Sequence, residues 1–478
     1  MDNQLKNVQF IVQLMLENRS FDQMLGFLYA DTKNVSPAKN AFDGLTGDES
    51  NPDDTGREIP VTKIDSTANH AYLMPGADPG EGFYNTNLQL FGSQHPKPTD
   101  KPTNRGFVVN FKTAIASDLA KGYKDTIPGT TPNEIMGMYT PQALPVMSAL
   151  ARGFAVCDRW FASAPTQTIP NRAFACAGTS QGHLDNHVKV FTTPSIFGRL
   201  SDQKIDWAIY GYDRAPMTRM DFPDTIQADP SHFGRFADFQ KRAAAGTLPA
   251  YTFLEPSFGA AGNSQHPNYD VAAGEQLIYQ VYTALRNGKG WKNTLLLVTY
   301  DEHGGNFDHV APPATATPPD KLVGEFDNFD FTRFGVRIPN LLISPLIPPG
   351  TVFRPQKGVV DHTSVLRTIE LRWGLTPSLS ARVAAAPSLG DVLTLTKPQD
   401  GDPLKGIHPP VSSMVHPNPS QPSELELIHA EKVSRLPIPD GQGHYRHTPP
   451  VLATSAAVQD YIESRTALWD QHLRHIRS

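Results

Sequence analysis

Cysteine is nearly absent. The chain of 478 residues carries two, Cys157 and Cys176. Two cannot build a disulfide framework, so the fold has to rest on an apolar core. They are expected as two buried free thiols, with a single bridge between them as the alternative. Basic clusters are missing too. Net charge is −6, and no block of about five consecutive Lys/Arg occurs, which excludes nucleic acid as the main partner. No apolar run approaches the ~18 residues of a membrane-spanning helix. The start, Met1-Asp-Asn-Gln-Leu-Lys, lacks the basic opening and apolar centre of a signal peptide. The expectation is a cytoplasmic protein, or the mature form of a secreted or periplasmic one. Proline (43) and glycine (36) are plentiful instead, and they predict long ordered loops.

Two strands with polar tips organise the chain. Leu295–Val298 is a continuous apolar run, and Asp301-Glu-His-Gly-Gly305 follows it. Such a run reads as a strand buried on both faces of a parallel sheet. Gly304 and Gly305 are expected to break the strand and let backbone approach a ligand. Val8–Leu16 repeats the pattern and ends in Glu17-Asn-Arg-Ser-Phe-Asp22. Glu17 and Asn18 are either hard oxygen ligands or part of a cap, since Ser20 or Asp22 suits an N-cap. Ligands of open α/β sheets sit at the carboxyl ends of strands.

Further strands are expected at 154–157, 206–210, 251–254 and 337–344, the last weakened by Pro339. Helices are expected near 144–151, from about Thr168, over 271–286 and from Asp361. A helix between two strands marks the βαβ unit of a parallel sheet. Residues 30–135 read as loops, too aromatic for disorder, forming a lid or substrate wall. Its aromatic part, 80–111, could take an acyl or aromatic leaving group. Residues 396–478 read as a Pro-rich extension wrapped over the catalytic unit 1–395. The chain ends in an amphipathic helix with Val458, Tyr461, Ile462, Trp469, Leu473 and Ile476 on one face. That face either packs on the body or touches a membrane surface transiently.

Glu17, Asn18, Asp301 and Glu302 form an oxygen-rich set suited to one divalent cation, Ca²⁺ or Mg²⁺ before Zn²⁺. Thr168 precedes Pro170 at a helix start, where it can cap the helix or attack phosphorus and approach the metal. His266, His303, His309 and His362 follow strand tips or open helices. They are structural, or they serve phosphate oxygens and proton transfer.

Glu17-Asn-Arg-Ser-Phe-Asp22, Thr168-Ile-Pro-Asn-Arg172, His266-Pro267, Asp301-Glu-His-Gly-Gly305 with Asp308-His309, and Asp361-His-Thr-Ser364 occur in that order. Over about residues 7–395 the chain resembles the phosphoesterase family of bacterial and plant non-specific phospholipases C and AcpA-type acid phosphatases. The resemblance implies an α/β fold, the alkaline-phosphatase-like three-layer sandwich around a mainly parallel sheet. It implies metal ligands at Glu17, Asn18, Asp301 and Glu302 and a nucleophile at Thr168. It also implies phosphate or leaving-group roles for His266, His309 and His362, with Asn171 and His303 beside the phosphate. Many members read Asp-Pro-Gly-His where this chain has Asp78-Pro-Gly-Glu81. Glu81 is then a general acid or a seat for a choline-like cation. The expected activity is metal-dependent hydrolysis of phosphate mono- or diesters through a phosphothreonine. The alternatives are a sulfatase or phosphonate hydrolase, or a silent binding protein of the same fold. The sulfatase setting Cys/Ser-x-Pro-x-Arg is met here in Pro170 and Arg172 but not in Thr168.

Overall fold

The computed structural model describes residues 4–68, 70–122, 125–438, 444–445 and 448–477. Met1–Asn3 of the expected start and residues 439–443 and 446–447 of the expected extension lie outside them.

Eight strands form the central sheet. In chain order they are β1 (Phe10–Leu16), β2 (Ala155–Val156), β3 (Trp207–Gly211), β4 (Phe233–Arg235), β5 (Tyr251–Glu255), β6 (Thr294–Tyr300), β7 (Asn340–Ile343) and β8 (Thr351–Val352). The spatial order is β8-β2-β7-β6-β1-β5-β3-β4. Every pairing is parallel except those of β7 with β6 and β2. Pro339 falls one residue before β7, so its missing N–H costs no ladder bond there. β6 is buried along its whole length and β1 nearly so, as strands covered on both faces must be. The β5–helix–β6 crossover passes over β1, which lies between the two strands.

The helices used below are α1 (Phe83–Phe91), α2 (Phe107–Lys121), α3 (Pro145–Gly153), α4 (Thr168–Ala177), α5 (Val271–Arg286), α6 (Thr363–Trp373), α7 (Glu424–Ser434) and α8 (Ser455–Arg477). α3 packs with α5, and α4 with α6. These two groups are the outer layers of the sandwich. Cys157 and Cys176 are buried and unpaired.

Two stretches differ from expectation. The region read as loops, 30–135, contains α1 and α2, and Phe107, Val108, Phe111 and Ile115 of α2 bury in a small apolar cluster with Phe27, Leu90 and Met138. The region read as an extended wrap contains α7, which packs against α8. On α8, Val458, Ile462, Trp469 and Leu473 are buried against Ala430 and Val433, and Tyr461 is partly so. Ile476 is 58% exposed and does not belong to that face.

Candidate active site

Parallel pairing sets the two polar tips level. Leu16 lies opposite Tyr300, so Glu17 and Asp301 leave neighbouring strands side by side. Asn18 adopts a left-handed backbone (φ 54°), which turns its N–H onto Asp301 Oδ1 at 2.9 Å. A Cβ on Gly304 would lie 2.1 Å from the Asn18 carbonyl oxygen, and one on Gly305 would lie 2.5 Å from the Gly80 oxygen. The two glycines admit the protein's own backbone at close range. They allow the loops at 17–20, 78–81 and 301–309 to meet.

Arg172, one turn into α4, donates from Nε to Asp301 Oδ2 at 3.1 Å and from Nη2 to the Leu16 carbonyl at 3.2 Å. Thr168 is the first residue of α4, and the capping position is Gln167, without a side-chain bond. The Thr168 hydroxyl donates to Asn18 Oδ1 at 3.2 Å. It therefore does not cap the helix. The cap at the other tip is Ser20, whose Oγ accepts from Gln23 N–H, while Glu17 and Asn18 stay out of it. Asn18 Nδ2 donates to Glu81, and Gln167 Nε2 to the same carboxylate at 3.4 Å. Thr168, Asn18 and Glu81 form one chain of contacts.

The carboxylates here are buried and crowded. Burial first, then Asp301, pushes Glu17 up to about 8. The same two causes hold Glu302 well above the ordinary range. Burial, then Glu302, does so for Glu81. Glu17 Oε2 and Glu302 Oε1 are buried with no hydrogen-bond partner. Acidic oxygens left without donors are what a bound cation would satisfy, so these residues fit a divalent ion. Glu17, Asp301 and Glu302 nevertheless do not converge on a single point as they stand.

The structure brings some of the other expected residues to this place and not others. A cavity of about 450 Å³ opens beside the tips, and Glu17, Glu81, Thr168 and His266 line it. His303 and His362 lie behind it. His303 contacts Glu302 Oε2 at 3.2 Å and Gln89 Oε1 at 2.8 Å, and burial drives its pKa down to about 3. His362 Nε2 donates to the Asp301 carbonyl at 2.6 Å. Neither ring lines the cavity: His303 meets the Glu302 carboxylate and His362 the Asp301 backbone. Asn171 turns to the loop before α4, bonding the backbone of Ala164, Thr166 and Gln167. His309 is not among the lining residues. Its Nδ1 lies 2.7 Å from Asp22 Oδ2. Asp22, Asp308 and His309 could form a ligand set, but Arg337 already bridges Asp22 and Asp308 at 2.8 Å each, as their cation.

A model of the Phosphoesterase family matches residues 8–376. The chain belongs to the phosphoesterase family. Non-specific phospholipase C6 of Arabidopsis thaliana is 33% identical to it over 484 residues, covering 96% of this chain and 86% of that one. Non-specific phospholipase C3 of the same plant is 34% identical over 83% of this chain and 75% of its own. Phospholipase C A of Mycobacterium tuberculosis is 29% identical over 85% and 82%. A solved structure of a protein in the alkaline phosphatase superfamily from Vibrio parahaemolyticus covers 52% of this chain and 64% of its own, at 12% identity and a TM-score of 0.32. Family membership makes the chain a phosphoric ester hydrolase and does not favour the sulfatase or silent-protein alternatives.

Several residues that line the cavity carried no signal in the sequence. Asp118, Lys121 and Asp125 reach it from the end of α2 and the loop beyond. Asn186, Tyr269, His416, Asn418, Ser423 and Glu424 complete the polar wall. Apolar lining comes from Phe258, Ala260, Leu425 and Leu427. The lid aromatics expected there are elsewhere: Phe83 packs with Tyr84 and Phe329, and Phe107 with Phe307 and His303. None of the lid aromatics expected to take a leaving group is among the residues that line the cavity. No described helix is long and apolar enough to cross a membrane.

Proposed function

We propose that the chain hydrolyses the phosphoester bond of phospholipids in the manner of a phospholipase C, with Thr168 as nucleophile. One observation carries this reading. The Thr168 hydroxyl is free of capping, lines the cavity, and is bonded to Asn18 at the junction of both acidic tips. Its oxygen attacks phosphorus and the bond to the diacylglycerol oxygen breaks. The proton released by the threonine hydroxyl is balanced by the one that oxygen takes up as it leaves as an alcohol. Water then cleaves the phosphothreonine and releases the phosphorylated headgroup.

Glu17, Asn18, Asp301 and Glu302 would hold the divalent ion, which supplies a Lewis acid for the phosphoryl oxygens and a lowered pKa for the threonine hydroxyl. Arg172, His303 and His362 fix the acids from behind. The cavity of about 450 Å³, lined by charged side chains such as Lys121 and Glu424 as well as by apolar ones, has room for a phosphorylated headgroup. The names of the relatives, phospholipases C from a plant and a bacterium, support the same substrate class over small phosphomonoesters.

Thr168→Ala and Asp301→Asn test the mechanism on p-nitrophenyl phosphate and on p-nitrophenyl phosphorylcholine. Loss of a nucleophile lowers turnover by more than about a thousandfold. Retained turnover in both variants overturns the reading. Wild-type preference for the monoester moves the substrate class to phosphatase and leaves the nucleophile intact.

A further inference from the structure

We infer that Asp78, Glu81 and His266 hold a divalent cation of their own, beside and separate from the set at the strand tips. The inference rests on the reading of Glu17, Asn18, Asp301 and Glu302 as the first ion's ligands. One carboxylate oxygen each from Asp78 and Glu81 and a ring nitrogen of His266 lie within 4.8 Å of one another. Donors held ~2.0–2.2 Å from an ion such as Zn²⁺ stand roughly 3–4 Å apart, so small side-chain rotations bring these three onto one ion.

The histidine is set up as a ligand. Its Nδ1 lies 3.1 Å from the Pro267 carbonyl, which can only accept, so Nδ1 carries the proton. The other nitrogen, Nε2, is left with its lone pair and faces Asp78 Oδ1 at 3.9 Å. Two lone-pair atoms face each other across a gap too long for a hydrogen bond. A backbone carbonyl fixing the far nitrogen is the usual support of a metal-bound imidazole. Asp78 Oδ1 has no hydrogen-bond partner.

A fourth group points the same way from outside the trio. Glu17 is 1% exposed, lines the same cavity, and has Oε2 without a partner. It follows Leu16 on β1, level with Asp301 on β6, and shares the cavity wall with Asp78. It therefore belongs to the strand-tip set and lines the cavity with the trio. Asp78, 45% exposed along its side chain, opens onto the cavity, so an ion can enter from there. One nitrogen with two carboxylates suits Zn²⁺ or Mn²⁺ better than Ca²⁺.

The test is ion stoichiometry, read by elemental analysis after chelator treatment, reloading with Zn²⁺ and desalting. Wild type is expected to hold two equivalents. Asp78→Asn, nearly isosteric, and His266→Ala should each hold one. Glu81 is not varied, because it also bonds Asn18. Two equivalents retained in both variants, or a single wild-type equivalent that both variants keep, overturns the inference. Asp301→Asn reports separately on the first site. If that variant keeps every wild-type equivalent while His266→Ala loses one, the three-residue site stands and the strand-tip set fails. Circular dichroism of the ion-free proteins shows whether a variant has folded.

Discussion

At the scale of single residues, Gly304 has the tightest constraint in the site. Its φ is +59°, and a Cβ there meets the Asn18 carbonyl oxygen at 2.1 Å. Gly304→Ala must separate the tips that carry Glu17 and Asp301. Positive φ for alanine and overpacking together cost about 2–4 kcal/mol. The urea midpoint should fall, and turnover of p-nitrophenyl phosphate should fall further than stability alone explains. An unchanged midpoint would mean the two backbones are free to part. His309 has a different task. Burial opposes its charge, but Asp22 at 2.7 Å, then Asp43, outweigh burial and push its pKa up to about 10. The folded value lies above the unfolded 6.5, so the stabilisation is complete below about pH 6.5 and fades as pH rises through about 10. Thermal melts from pH 6 to 10 should show wild type losing stability across that window, and His309→Gln losing less. Parallel profiles would show that the ring is uncharged in the fold.

At the scale of elements, what the sequence revealed depended on whether an element's partners were local. β1 and β6 were legible because an apolar run followed at once by acids has one ready reading, and their level pairing places Glu17 beside Asp301. α5 was legible from Leu277, Ile278, Val281 and Leu285, all buried. α7 was not. Leu425, Ile428 and Val433 are buried, but so are Glu426 and Lys432, whose charges meet Arg214 at 2.5 Å and Asp221. Buried charges paired by distant residues erase the apolar stripe that marks a helix. α2 does repeat apolar residues, at 107, 108, 111 and 115, yet glycine, asparagine and proline on either side gave the whole stretch the texture of a loop. The site followed the same rule. Thr168 alone could be cap or nucleophile, and its hydroxyl instead bonds Asn18, 150 positions upstream, a partner no local pattern shows. His309 sat in a run of residues that looked catalytic, but Arg337, unremarked in the sequence, draws Asp22 and Asp308 into an ion cluster around it.

At the scale of the molecule, the C-terminal part is a wall of the cavity as well as a wrap. Ser423, Glu424 and Leu425 line it from the start of α7, and α7 is held by α8 through Val433, Val458, Ile462, Trp469 and Leu473. Trp469 is the largest of these, and its Nε1 donates to the Ile226 carbonyl at 2.8 Å. Trp469→Ala leaves a cavity between the helices and an unpaired carbonyl, a cost of about 3–5 kcal/mol. The indole is not among the residues that line the cavity, so the catalytic groups themselves stay intact. The α7 end of the wall, however, loses its backing. Melting temperature should fall, and KM for p-nitrophenyl phosphorylcholine should rise by a larger factor than kcat falls, because headgroup contacts loosen while Thr168 and its neighbours keep their bonds. Lower melting with an unchanged KM would show that the wall stands without α8, and that the terminal helix stabilises the fold alone.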